Sequence, residues 1–302
     1  MNSPLILAAS YDLQVHVYDM NTMQEVKQYE IPNSQANRIV VSNQYFYIAS
    51  YSYIFMYNIQ SNTSKYEGAC VAHENNVTDI CVNDNLIVSC GEDKIIRVWD
   101  KRILKQNSKP QVNIMTDDSL NTMFMMNNDN EVVVGGESGS ISIWDIRNSN
   151  PSSSLFKKTD VDSPVRSLAF DKNKNCFVAA FMNGKTIKYS LSSGKFNEEC
   201  DIQSFNDVQL KVAISPNSEY FAVSAANNSV KTYNLNKCDL KNILIPNESR
   251  NWIWDMEFTA DSSKLCTGSS DGVCRIWDVE NCKLLSSSAQ LPKTVSAIAI
   301  ME

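Results

Sequence analysis

The sequence predicts an all-β fold, a seven-bladed WD-repeat β-propeller, from the spacing of one aromatic position, from the dipeptide that begins there and from the turns between strands. Seven short alternating segments each end in Trp or Tyr, at intervals of 39 to 45 residues. These residues are Tyr18, Tyr57, Trp99, Trp144, Tyr189, Tyr233 and Trp277. A period of about 40–45 residues with Trp-Asp is typical of a propeller blade, a four-stranded sheet that cannot bury both faces alone. The dipeptide is complete at Trp99-Asp100, Trp144-Asp145 and Trp277-Asp278.

Each repeat predicts four strands, which we call A to D from the inner to the outer edge of the blade. In the third repeat, Val77, Ile80 and Val82 mark strand A, and strands B and C follow at Leu86–Cys90 and Ile95–Trp99. The B-to-C turns of most repeats are rich in residues that tolerate left-handed backbone angles. The longest insert, Lys101–Asp118, predicts a surface loop around an outer strand.

The two ends of the sequence predict how the ring closes. The first repeat begins at a strand B, Leu5–Ala9, whereas Thr294–Ile300 has the pattern of a spare strand A. Pairing of Val295–Ile300 beside Leu5–Ala9 would complete the first blade and remove two exposed sheet edges. We therefore expect residues 1–302 to form a single seven-bladed domain.

Composition and charge exclude several classes of function. The net charge is −7 and the 27 Lys and Arg residues are scattered, which argues against nucleic acid as the main partner. No segment approaches 18 consecutive apolar residues and no leader-like start is present, so we expect an intracellular, cytoplasmic protein without direct membrane insertion.

The cysteines and histidines predict neither a metal site nor a cofactor site. Nine cysteines occur without any Cys-x-x-Cys pair, and Cys81, Cys90, Cys266 and Cys274 fall within predicted strands, where a thiol acts as a small hydrophobe. Only two histidines are present, and the alternation around His16 predicts that it faces solvent or the neighbouring blade. We expect no bound metal, no cofactor and no enzymatic activity.

The third repeat holds a Ser, a His and an Asp that resemble a hydrolase triad in composition. His73 lies in the loop before strand A, Ser89 in strand B, Asp93 in the B-to-C turn and Trp99 in strand C. Their order and spacing fit the buried hydrogen-bonded network of a propeller blade, and no nucleophile elbow accompanies them. We interpret the set as structural.

The segment Arg250–Asp255 carries two tryptophans that strand A does not need for its core. Alignment with the third repeat places Trp252 at the channel mouth and Trp254 beside the central channel, flanked by Arg250 and Asp255. Trp and Arg dominate the energetics of protein interfaces, so this segment predicts a partner-binding site. The alternative is that Trp254 only packs against a neighbouring strand A.

Three tyrosines extend this candidate surface along one rim of the ring. Tyr11 and Tyr51 fall in B-to-C turns, on the same rim as Trp252, and Tyr53 is adjacent. Because repeats seven, one and two are neighbours in a closed ring, Trp252, Tyr11 and Tyr51 predict one continuous aromatic arc with a polar surround, which is typical of a binding surface.

The strand A positions that should face the channel form a mixed polar set without paired carboxylates, which argues against a propeller enzyme. They are Asn37, Thr78, Asn121, Arg166, Leu210, Trp254 and Ser296.

Taken together, these residues resemble the small G-protein-beta-like WD-repeat subunit of the TOR (target of rapamycin) kinase complexes. The matching motifs are Ile6–Asp12, Met56–Asn62, Gly91-Glu92-Asp93 with Arg97–Asp100, Ser138–Ile141 with Ile143–Asp145, Ser249-Arg250, Trp252–Asp255, Ser269–Asp271 and Arg275–Trp277. Asn251 stands where the family usually has Gly, and repeats five and six match only loosely.

The resemblance implies a non-catalytic propeller that docks on an insertion of a TOR-type kinase domain and stabilises it. Trp252, Trp254, Tyr11 and Tyr51 would contact the kinase. The partners would also include other TOR complex subunits, and endomembranes would be reached only through the complex. The alternative is a generic WD-repeat adaptor, such as a ubiquitin-ligase substrate receptor, that uses the same rim.

Overall fold

The computed structural model describes residues 3–32, 34–104, 108–148, 153–192, 194–244 and 251–302. Within them, 28 strands form seven four-stranded antiparallel sheets. This arrangement confirms the predicted all-β seven-bladed propeller. The helical structure in these ranges is one 3₁₀ turn at Lys101–Ile103, and no helix in them has the length and apolarity needed to cross a membrane.

The strands of each blade are given from the inner to the outer edge. Blade 1 contains β28 (Val295–Met301), β1 (Leu5–Ser10), β2 (Gln14–Asp19) and β3 (Glu25–Glu30). Blade 2 contains β4 (Arg38–Ser42), β5 (Tyr45–Ser50), β6 (Tyr53–Asn58) and β7 (Gly68–Val71). Blade 3 contains β8 (Val77–Val82), β9 (Leu86–Gly91), β10 (Ile95–Asp100) and β11 (Val112–Met115). Blade 4 contains β12 (Leu120–Met125), β13 (Glu131–Gly136), β14 (Ser140–Asp145) and β15 (Phe156–Thr159).

The remaining three blades follow the same order. Blade 5 contains β16 (Val165–Asp171), β17 (Cys176–Phe181), β18 (Lys185–Ser192) and β19 (Lys195–Gln203). Blade 6 contains β20 (Gln209–Ile214), β21 (Tyr220–Ala225), β22 (Val230–Asn234) and β23 (Leu240–Leu244). Blade 7 contains β24 (Ile253–Phe258), β25 (Lys264–Ser269), β26 (Cys274–Asp278) and β27 (Lys283–Ser287).

The hydrophobic core lies between the blades rather than at the centre of the ring. Each apolar cluster combines residues of two adjacent blades; between blades 1 and 2, the rings of Phe46 and Tyr57 stack at 4.8 Å and the Tyr29 ring meets Phe46 edge-on at 5.0 Å. A middle strand is therefore covered on both faces, which explains why β17 is buried along its whole length. The outer strand β3 buries only Tyr29.

The inner strands carry the irregularity that positions the channel residues. In blades 3 to 7 and in β28, one residue near the start of the inner strand is skipped in the pairing with the second strand. The skipped residues are Thr78, Asn121, Arg166, Leu210, Trp254 and Ser296. Such a bulge turns the side chain of the extra residue away from the regular alternation, here into the channel.

The ring is closed as the sequence predicts. Strand β28 pairs with β1 from Leu5 opposite Met301 to Ser10 opposite Val295. Two carboxylates of blade 7 also hold β28, because Asp255 Oδ2 accepts from the Ile298 N–H and Glu257 Oε2 from the Ile300 N–H, both at 3.0 Å.

The His73 set forms the predicted structural network of blade 3. His73 Nδ1 lies 2.7 Å from Asp93 Oδ1, His73 Nε2 lies 2.8 Å from Ser89 Oγ, and the Trp99 indole N–H donates to the same Oγ at 3.0 Å. Burial would raise the pKa of Asp93, but hydrogen bonds from His73 and Arg97 lower it to about 2. Every member of this network is therefore engaged within the blade.

Candidate functional site

The two tryptophans form a contacting pair at the channel mouth. The Trp252 side chain is 42% exposed, and its ring centroid lies 5.1 Å from that of Trp254. The loop before β24 is fixed by reciprocal bonds, since the Trp252 N–H donates to Ser270 Oγ and the Ser270 N–H donates to the Trp252 carbonyl, both at 2.8 Å. Trp254 is half-buried at its bulge and lines the channel. The pair therefore joins the rim surface to the channel.

Tyr11 lies on the same mouth, in the turn between β1 and β2. Its side chain is 41% exposed and lines the channel together with Trp254. The Tyr11 N–H donates to the Thr294 carbonyl at 2.9 Å, so the closing segment of the ring positions this turn. Leu13, two residues later, is also exposed and has a φ of 68°. Leu13 was not predicted as a rim residue, although it occupies the turn position where blades 4, 5 and 7 have glycine.

His16 is buried on the face of its strand that it shares with Tyr18 and that packs against blade 7, so the solvent-facing alternative is wrong and the one facing the neighbouring blade is supported. Its side chain is only 4% exposed, and both ring nitrogens face carboxylates of its own blade, Nε2 at 3.0 Å from Asp12 Oδ2 and Nδ1 at 3.0 Å from Glu25 Oε1. His16 follows the turn aspartate by four residues, as Arg97 follows Asp93 in blade 3. Its physical role is therefore to tie the turn that presents Tyr11 to the outer strand.

Tyr51 is exposed and has a strained backbone. It lies in the two-residue turn between β5 and β6, its side chain is 52% exposed, and its φ is 48°, in the left-handed region that favours Gly or Asn. Tyr53 is only half-exposed, because its ring stacks on Phe55 at 5.6 Å and packs against the core between blades 1 and 2. In the described residues Tyr51 makes no ring contact with Tyr11 or Trp252, so the arc consists of separate exposed aromatic side chains.

The central channel contains a cavity of about 200 Å³, and all seven predicted channel positions line it. In blades 1 to 4 the channel side chain donates to a strand A carbonyl or the adjoining carbonyl of the next blade. These bonds are Ser296 Oγ to Ala36 at 2.8 Å, Asn37 Nδ2 to Val77 at 2.9 Å, Thr78 Oγ1 to Leu120 at 2.8 Å and Asn121 Nδ2 to Val165 at 3.2 Å. In the described part of blades 5 to 7, Arg166, Leu210 and Trp254 make no such bond. This sector of the wall is not used to hold the ring together.

Paired carboxylates do lie in the channel, and each follows a predicted channel position by one residue in the sequence. Asp79 and Asp255 line the cavity, and Lys211 Nζ lies 3.0 Å from Asp255 Oδ1. Arg38 approaches both, with Nε 3.3 Å from Asp79 Oδ1 and Nη1 3.6 Å from Asp255 Oδ2. The bulge places Asp255, predicted as a partner-binding residue that flanks the tryptophans, inside the wall at 4% exposure.

Glu257 lies two residues farther along β24 than Asp255. Burial raises the pKa of its carboxyl to about 7, with the nearby Asp255 acting in the same direction and the Arg38 and Lys211 cations opposing. Its charge therefore changes near neutral pH.

Two further predictions concern Arg250 and the cysteines. Arg250 lies outside the described residues. All nine cysteines are free thiols, and burial raises the pKa of Cys70 and Cys274 to about 12. Thiols this weakly acidic behave as small hydrophobes.

Comparison with protein families finds a match over most of the chain. A family described as nucleolar protein 10-like, N-terminal domain, matches residues 24–238, and the WD domain, G-beta repeat, matches residues 241–278. The first match spans more than two thirds of the chain, from β2–β3 of blade 1 into blade 6. The second covers the outer strand of blade 6 and most of blade 7.

Two Arabidopsis thaliana proteins are similar along most of their length. "Target of rapamycin complex subunit LST8-1" is 28% identical over 251 residues, which is 80% of each chain. "Non-functional target of rapamycin complex subunit LST8-2" is 27% identical over 272 residues, 86% of this chain and 84% of the relative. These names confirm the resemblance to the WD-repeat subunit of TOR complexes.

One solved structure supports the fold alone. The crystal structure of the computationally designed Ika8 protein superposes with a TM-score of 0.73 at 18% identity, covering 98% of this chain and 87% of that chain.

Proposed function

We propose a function for this chain, which belongs to the WD-repeat β-propeller family described as nucleolar protein 10-like. The proposal draws on the propeller scaffold, the exposed residues of its rim and the names of its relatives. The protein is a non-catalytic subunit of a TOR complex. Its rim binds a TOR-type kinase domain and stabilises that domain. The names of the two Arabidopsis relatives support the choice of complex.

The observation that carries the proposal is the exposed tryptophan pair. Trp252 is 42% exposed and rests on Trp254, so one indole ring faces solvent while the other supports it. Tryptophan held in this way is the residue type that most often dominates interface energy, because a partner can desolvate it without a large entropy cost.

Backbone strain beside the pair supports the same surface. Tyr51 and Leu13 are exposed apolar residues with φ of 48° and 68°, a conformation that costs a non-glycine residue about 1–2 kcal/mol. Such strain is concentrated at functional sites, where another requirement outweighs stability. The turn geometry itself requires a positive φ, since Lys94 at the turn position of Leu13 has a φ of 64°, and contact with a partner would account for the apolar and exposed side chains at Tyr51 and Leu13.

The channel chemistry favours a binding role over catalysis. Asp79 and Asp255 face the cations Arg38 and Lys211, and His73 is enclosed in its blade network. These three titratable side chains thus each have a structural partner.

Affinity purification of the full chain tests the proposal. Wild type should recover a TOR-type kinase, whereas Trp252→Ala should weaken binding by about 2–4 kcal/mol. Lys195→Ala on the outer edge of blade 5 and Leu285→Ala, an equally exposed apolar side chain on the outer edge of blade 7, serve as controls and should bind as wild type does. Equal recovery with all four proteins, or no kinase with any, contradicts the proposal.

The matched family's name favours a second candidate, a propeller that works in the nucleolus. In that case the purification would recover nucleolar proteins in place of a kinase, and fluorescence microscopy would place the tagged chain in the nucleolus. Recovery of a ubiquitin ligase would instead support the generic adaptor.

A further inference from the structure

The arginines of the chain fall into two groups. Four of the six in the described ranges donate hydrogen bonds to a nearby aspartate. These pairs are Arg97 with Asp93, Arg102 with Asp100, Arg147 with Asp145 and Arg275 with Asp271. The other two, Arg38 and Arg166, make no hydrogen bond to the described residues, and both line the central channel.

Of these two, Arg166 is the one without a nearby carboxylate. Arg38 has Asp79 and Asp255 within 3.6 Å, whereas no carboxylate oxygen of the described residues lies within 4 Å of the Arg166 guanidinium. Burial lowers the pKa of Arg166, and the more distant Glu137 and Tyr11 compensate only in part. A half-buried guanidinium without a carboxylate beside it is stabilised by any oxyanion that reaches it.

The acidic side chains at the mouth are engaged elsewhere. Both carboxylate oxygens of Glu92 accept from Asn76 Nδ2 at 3.1 Å, and Glu137 Oε2 accepts from Asn121 Nδ2 at 2.8 Å. They therefore do not pair with Arg166. The negative charges of Glu92 and Glu137 repel an entering anion, so a singly charged carboxylate fits this mouth better than a doubly charged phosphate.

We propose that the channel mouth is a pocket for a carboxylate side chain, an aspartate or glutamate on the segment that docks on the rim, and that Arg166 pairs with it. This inference rests on the proposed function for the identity of the docking partner. The pocket opens beside that surface, because Tyr11 and Trp254 belong to both the rim and the cavity wall. Its volume of about 200 Å³ is many times the roughly 10–15 Å³ that a single water needs, so it admits one such side chain.

The pocket can be tested without the kinase. Trp254 lines it, so tryptophan fluorescence reports occupancy by the peptide acetyl-Gly-Glu-Gly-amide, with acetyl-Gly-Gln-Gly-amide as its uncharged match. Wild type should give a saturable change with the Glu peptide and bind the Gln peptide at least about 10-fold more weakly. Arg166→Gln should abolish the preference and Arg102→Gln, on the outside of blade 3, should keep it. Equal binding of the two peptides, no saturable change, or a preference retained by Arg166→Gln overturns the proposal.

A third peptide, with phosphoserine in place of Glu, distinguishes the oxyanion. Weaker binding than the Glu peptide supports a carboxylate pocket, and tighter binding overturns it in favour of a phosphoryl group.

Kinase recovery separates this inference from the proposed function. Arg166→Gln should lower kinase affinity roughly 10- to 100-fold, with Arg166→Lys intermediate and Arg102→Gln unchanged. Loss of binding in Trp252→Ala but not in Arg166→Gln overturns the carboxylate pocket and leaves the proposed function standing. If wild type recovers no kinase, the proposed function fails, and the peptide preference alone decides the pocket.

Discussion

At the scale of single residues, Tyr51 is predicted to lower the stability of the fold and to strengthen binding of the partner. Its φ of 48° is easier for asparagine than for tyrosine, so Tyr51→Asn should raise the free energy of unfolding by about 1 kcal/mol. The same change removes an exposed ring from the rim and should weaken kinase binding. Thermal denaturation and kinase recovery measure the two effects.

Tyr11→Asn is the matched control, because Tyr11 lies on the same rim but does not have a positive φ. It should weaken binding without raising stability. A fall in stability of Tyr51→Asn would contradict the strain argument.

A second residue-scale prediction concerns Glu257, whose carboxyl pKa rises from about 4.5 to about 7 on folding because it is buried. Between these values the folded state binds more protons than the unfolded state, so stability should fall as pH rises from about 4.5 to 7, by on the order of 1–3 kcal/mol. The charged groups that face Glu257 are Arg38, Lys211 and Asp255. Denaturant titrations of the wild type at several pH values measure the slope.

Glu257→Gln should flatten this dependence and stabilise the protein at pH 7, since the amide oxygen can still accept from the Ile300 N–H. The exposed Glu280→Gln should leave the dependence unchanged. An identical slope in Glu257→Gln and wild type would contradict this prediction.

The sequence predicted single residues well where one repeat could be aligned with another. Trp252 and Trp254 lie where alignment with Val77 and Ile80 places them. The channel contacts of Asp255 and the carboxylate partners of His16 were not predicted, because they depend on a bulge and on residues of a turn and of the outer strand, Asp12 and Glu25. Alternation along a strand reveals neither of these.

At the scale of one blade, we expect the His73 network to contribute to the stability of the fold. Asp93→Ala should lower the free energy of unfolding by about 1–3 kcal/mol, because it leaves the buried His73 Nδ1 without its acceptor and removes one of the two acceptors of Arg97 Nη1. His73→Ala should have an effect of the same size. Asp145→Ala, which removes an acceptor from the exposed Arg147, is the control and should cost far less. Equal losses in the buried and exposed variants would contradict the structural interpretation.

The strands themselves differed in how well the sequence located them. Strands A to C carry apolar alternation or continuous apolar runs because adjacent blades cover them. An outer strand was expected within Lys101–Asp118 but its bounds were not predicted, since β11 (Val112–Met115) buries just Ile114 and so lacks a period that the sequence could reveal.

At the scale of the whole molecule, the core consists of layers between adjacent blades, and the two layers that flank blade 1 are complete only when the ring closes. The layer between blades 7 and 1 includes Val295 and Ile298 from β28 together with Cys266 and Ile276 from blade 7. The layer between blades 1 and 2 includes Ala297 and Ala299 from the same strand. One terminal strand thus serves two layers.

Truncation after Leu291 is therefore predicted to destabilise the whole ring rather than one blade. It removes β28, its pairing with β1, the Ile298 and Ile300 donors that meet Asp255 and Glu257, and apolar residues from two core layers. It also exposes the edge of β1 and uncovers the inner strands of blades 7 and 2, and exposed strand edges are prone to aggregation. Soluble yield and melting temperature should both fall sharply, whereas truncation after Ile300, which removes only the last pair of the ladder, should have a small effect. Equal yield and melting temperature for the two truncations would contradict closure by β28 as the main source of stability.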